Sequence, residues 1–146
     1  MKRVRLFEIF GFVALLALTG IACISDAGNA NGDRLEGVTW VLKSYGDPDN
    51  LITAITGKEP TIMFNEENSE LGGNTGVNSY GGEYTVDGNN ITVSDLFQTL
   101  IASTDPALNE QETRFMNILR SAQSFDIDDG ELTITGTAGV LVLEKK

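Results

Sequence analysis

GGNTGVNSYGGEY, residues 72–84, places five glycines in thirteen positions with Asn74, Asn78, Tyr80 and Tyr84 among them. A phosphate cradle would need backbone N–H groups at the start of a helix and usually a lysine. The spacing matches neither G-x-G-x-x-G nor G-x-x-x-x-G-K-[ST]. The residues after the loop read as a strand, and the flanking basic residues are as far away as Lys58 and Arg114. The alternative is architectural. Glycines permit bulges and positive φ where a sheet bends sharply, with Asn78 bonding backbone groups in the loop and Tyr84 facing a core or a mouth. The loop therefore predicts a strongly curved sheet.

On both sides of that loop the pattern has period two, with short apolar runs separated by Gly, Asn and Asp clusters, which indicates strands. They are expected at 39–45, 61–65, 70–73, 82–86, 91–96, 124–128, 131–135 and 140–144. Asp87-Gly88 and Asp129-Gly130 suit tight hairpins because both residue types tolerate positive φ. The run VLVL at 140–143 is apolar on both faces, as a central or enclosed strand requires. Residues 105–122 break the pattern, because Leu108, Phe115, Ile118, Leu119 and Ala122 fall on one helical stripe. Asp105 can cap that helix, Pro106 suits its first turn, and Glu110 precedes Arg114 by one turn. A helix with a single apolar face must cover the sheet. The fold class is thus α+β, a strongly curved antiparallel sheet forming a partial barrel with one amphipathic helix packed against it.

The amino terminus is of another kind. Lys2, Arg3 and Arg5 precede a run without charge from Ile9 to Ser25, the pattern of a secretory signal. Thr19-Gly20-Ile21-Ala22 before Cys23 looks like a lipobox, which predicts a lipoprotein-type signal peptide at 1–22 with Cys23 as the lipidation site; the alternatives are an ordinary signal peptide with an incidental Cys or an uncleaved anchor. Residues 23–34 are small and polar and read as a flexible tether, able to span roughly 40 Å when extended. The remaining 35–146 make one domain. The expected setting is the cell envelope, exported and lipid-anchored to a membrane, since multiple acyl chains give stable anchorage.

Charge and composition narrow the function. Net charge is −11, and loss of the +2 signal segment leaves −13. No Lys or Arg lies between Lys58 and Arg114, a surface that should repel nucleic acid. With no histidine and one cysteine in the chain, Ser/His and Cys/His catalysis and Cys/His zinc sites are excluded. DIDDGE at 126–131 fails as a calcium loop, because counting from Asp126 puts Gly130 at position five and Thr137 at position twelve; it reads as a hairpin turn. The carboxylates read as solvated, with no two singled out for acid–base work. No catalytic residue, metal site or cofactor is expected.

The order of LEGVTWVL, GVNSYGGEY, TLIAS and ETRFMNIL, followed by closing hairpins, resembles the META domain, or HslJ-like, family over residues 35–146. Leu35, Gly37 and Trp40 approximate the family's opening, and Gly82-Glu83-Tyr84 its Gly-x-Tyr. The family's two cysteines fall on Val77 and Ser103, so any disulfide or redox chemistry of relatives is lost, and Val77 should pack as core. The resemblance implies an envelope or secreted domain, often a lipoprotein, linked in some members to stress tolerance and without established catalysis. Three readings are open. The first is a non-catalytic domain acting through binding in envelope maintenance, with an unknown envelope protein as partner. The second is a carrier or chaperone for an acyl chain or apolar peptide, with a pocket among Trp40, Tyr45, Tyr80, Tyr84, Phe97 and Phe115 beside Asn78. The third is an enzyme of unknown type, which would need a cleft of perturbed carboxylates.

Overall fold

The computed structural model describes residues 34–146. The expected signal peptide, Cys23 and nearly all of the expected tether lie outside the described residues.

The order of elements is β1 (Thr39–Asp47), β2 (Asn50–Thr53), β3 (Thr61–Asn65), β4 (Glu70–Asn74), β5 (Ser79–Asp87), β6 (Asn90–Gln98), α1 (Pro106–Arg120), β7 (Ala122–Asp128), β8 (Glu131–Gly136) and β9 (Gly139–Lys145). Each strand pairs antiparallel with its neighbour from β3 to β9, and β9 then pairs with β1, closing an eight-stranded barrel. The curved sheet expected from the sequence thus curls until its ends meet. Closure works because β1 divides its second edge: Thr39–Val41 pair with β3, and Ser44–Asp47 pair with β2. Period-two alternation does not mark β2, because its four residues are all exposed.

The turns follow their residues. Asp129 and Gly130 both have positive φ, 46° and 79°, the requirement of a type I′ hairpin matched to strand twist. In the β5–β6 hairpin only Gly88 of the two loop residues is positive, at 59°, the φ pattern of type II′. β9, apolar on both faces, lies between β8 and β1.

The core fills the barrel with Trp40, Leu42, Ile62, Leu132, Ile134, Leu141 and Leu143 from the strands and Phe115, Ile118 and Leu119 from the helix. The helix packs against β1, β6, β8 and β9. The two strands it links in sequence, β6 and β7, share a single register pair, Asn90 with Ser124. Asp105 caps it by accepting from the Ala107 N–H at 2.9 Å, and Arg114 donates to Glu110 at 2.8 Å. At the far end the chain enters beneath Trp40, whose indole N–H donates to the Leu35 carbonyl at 2.8 Å.

Candidate functional site

The loop that decides the fold also holds the main buried polar cluster. Thr75, Asn78, Gln111 and Glu112 are buried, and burying such groups is tolerable only if each is hydrogen-bonded. Asn78 uses its full capacity. Its amide nitrogen donates to Glu112 Oε1 at 2.7 Å and to the Ile101 carbonyl at 2.9 Å. Its oxygen accepts from Thr99 Oγ1 and from the Ile101 N–H, both at 2.8 Å. Thr75 Oγ1 also donates to Glu112 Oε1 at 2.7 Å and accepts from the Asn78 N–H at 2.8 Å. Beside Glu112, Gln111 accepts from the Ile55 N–H at 2.8 Å and donates to the Lys58 carbonyl at 2.9 Å. Two adjacent helix residues therefore hold two irregular segments, 55–58 and 75–78, and Asn78 carries the tie on to a third, 99–101.

Several sequence expectations are refined here. The Asn78 side chain bonds the backbone groups of Ile101 rather than those of its own loop. Glu112 is not a solvated carboxylate. Spacing offered the signal, because Leu108, Glu112, Phe115 and Leu119 advance by four, three and four residues along one helical face. Val77 is half-buried and stands outside the core cluster. The glycines do serve architecture: Gly76 has φ +90°, and a Cβ there would run into the Lys58 carbonyl oxygen.

Trp40, Tyr45, Tyr80, Tyr84 and Phe115 sit in the core. Tyr80 meets Phe115 edge to face with ring centroids 5.6 Å apart, and Phe64 meets Tyr84 at 5.0 Å, geometry that favours aromatic pairs. The Tyr80 hydroxyl donates to the Thr61 carbonyl at 2.7 Å, and burial pushes its pKa well above the usual value. Tyr84 is pushed up to about 12, first by burial and then by Glu36, to which its hydroxyl donates at 3.2 Å.

Phe97 departs from this group. It is 69% exposed, followed by Leu100 at 90% and Ile101 at 63%. A cleft of about 280 Å³ beside it is lined by Glu70, Glu83 and Asp95 with Gly81 and Gly82. A larger one, about 510 Å³, lies between Arg114 and Asn117 of the helix and the β1–β2 and β8–β9 turns.

The sequence profile of the META domain matches residues 33–146. The chain belongs to the META domain family. Among solved structures, a protein from Burkholderia xenovorans determined by NMR is similar with a TM-score of 0.63 at 17% identity, covering 77% of this chain and 83% of that one. A second NMR structure gives 0.57 at 23% identity over 73% and 87%. A DUF4847 family protein from Bacteroides vulgatus gives 0.52 at 14% identity over 75% and 93%. These likenesses show the fold alone. No curated protein matches the chain. In META domain terms, the Gly-x-Tyr motif lies on β5, with Tyr84 inside the barrel and Glu83 outside it.

Proposed function

We propose that the chain is an exported, lipid-anchored envelope protein whose META domain works by binding rather than by catalysis. The observation that carries the binding reading is the treatment of residue 101. Asn78 fixes both the N–H and the carbonyl of Ile101, while the side chains of Ile101 and Leu100 stand in solvent. A buried polar network thus presents apolar side chains outward in a fixed geometry, and preorganised surfaces bind with less ordering cost. The same network argues against catalysis, since its Thr and Asn side chains and Glu112 Oε1 are engaged with one another and with backbone. The interior aromatics pack together, which favours the outer surface over an enclosed carrier pocket as the place for a partner.

Anchorage rests on the uncharged run that contains Cys23. Membrane fractionation with metabolic palmitate labelling tests it. The parent chain should label and sediment with membranes, and Cys23→Ala should do neither. A Cys23→Ala chain still held in the membrane would replace lipidation with an uncleaved hydrophobic anchor.

A further inference from the structure

One row crosses four strands on the outside of the barrel. Met63 pairs with Gly72, Gly72 with Gly81, and Gly81 with Phe97. Their inward neighbours Ile62, Leu71 and Tyr80 are buried, so the row faces out, consistent with strand alternation. Two glycines make its floor. The Phe97 ring lies over Gly81, where a Cβ would come within 2.7 Å of the ring, and its other face is open to solvent. Met63 stands at the far side, 54% exposed. The chain then runs from Phe97 directly into the clamped, outward-turned Leu100 and Ile101.

The rim around Phe97 has one sign of charge, while Arg34, paired with Glu66, lies by Met63 at the far side. Glu70 and Glu83 are directly opposed across β4 and β5, an arrangement that costs stability when the charges are alike. Asp95 joins them around Phe97. The ion pairs of Arg34 with Glu66, of Lys43 with Glu131 and Glu144, and of Arg114 with Glu110 involve none of these three carboxylates. An exposed ring face also attracts cations through its quadrupole. Apolar contact and positive charge are therefore wanted together.

We propose that this face docks a basic segment of another polypeptide, with Lys or Arg side chains placed over Phe97 and against Glu70, Glu83 and Asp95, and an apolar side chain set against Leu100 and Ile101. The proposal rests on the binding reading and names its partner chemistry. An anionic membrane is the wrong partner, because the same carboxylates repel it.

The test uses the full chain in phosphatidylcholine nanodiscs, titrated by fluorescence anisotropy with a short dansyl-labelled peptide alternating Lys with Leu and Phe. Saturable binding is expected, weaker at high salt and at least about tenfold weaker in Phe97→Ser, as for an interface hot spot. Leu100→Ser touches no buried group and should weaken it too, which guards against a folding defect in Phe97→Ser. Glu83→Gln should reduce the salt dependence. Equal binding of the counterpart with Glu in place of Lys, or binding indifferent to Phe97→Ser and Leu100→Ser, would overturn the proposal. So would a self-association abolished by Leu100→Ser, or binding to peptide-free vesicles through Phe97. A chain that passes the palmitate test yet ignores both peptides loses this docking face and keeps its anchorage.

Discussion

The side-chain nitrogen of Asn78 donates to Glu112 Oε1 at 2.7 Å, tying the β4–β5 loop to the helix across 34 residues of sequence. Because Asn78 also holds both backbone groups of Ile101, Asn78→Ala leaves the buried Glu112 oxygen and the part-buried Ile101 backbone groups short of a partner. Each such loss costs about 1–3 kcal/mol, so urea denaturation should show the variant less stable by at least about 2 kcal/mol. Glu112→Gln keeps an acceptor for Thr75 and Asn78 and should cost less than Glu112→Leu, which removes it. Equal urea midpoints for parent and Asn78→Ala would mean the network is not what secures these loops.

The strands and the helix are legible in the sequence because alternation and the helical stripe report which face is wet. Legibility ends where that code does not apply. β2 has no buried face, so NLIT looks like loop. Glu112 and Gln111 are polar residues on the buried side of a helix, and their partners lie far off in sequence: Thr75 and Asn78 for one, Ile55 and Lys58 for the other. Phe97 looks like core by residue type. Alternation from Ile91 and Val93 would turn it inward, and the register shift opposite Gly81–Glu83, with Asp95 at φ 50°, turns it out instead.

Gly76 supports a sharper test of the loop. It combines φ +90° with a Lys58 carbonyl where a Cβ would sit, whereas Gly57 has φ +76° and open space around it. Gly57→Ala should cost about 1 kcal/mol, the strain of a left-handed conformation alone. Gly76→Val adds collision with backbone and should cost clearly more, with a lower melting temperature than Gly57→Ala. If the two variants melt together, contact with Lys58 contributes nothing.

At the start of the helix, Asp105 accepts from the Ala107 N–H, and Pro106 occupies the first turn. Asp105→Ala should lower stability by about 1 kcal/mol, as for other lost caps, while Asp105→Ser should recover most of it. Thermal melts followed by circular dichroism check both. A full loss with Ser would point to charge rather than to the hydrogen bond as what matters at this position.

Alkaline stability should be governed by the chain's three tyrosines, all of which are buried. Burial raises the pKa of Tyr45, raises that of Tyr80 well above its usual value, and with Glu36 takes Tyr84 to about 12. Unfolded tyrosine titrates near 10. Between those values the unfolded chain has lost protons that the folded chain retains, so stability must fall as pH rises. The tyrosines' contribution is fully present below about pH 10 and disappears as pH climbs through the folded-state values. Ultraviolet tyrosinate absorbance should therefore stay low past pH 10 and then rise together with loss of the circular dichroism signal. Glu36→Gln removes a charge that holds Tyr84 protonated and should lower the onset of tyrosinate slightly. A mutation that opens the core should lower it further, because burial outranks Glu36 in raising that pKa. A smooth tyrosinate titration centred near 10 in a chain that remains folded would show that water reaches these rings.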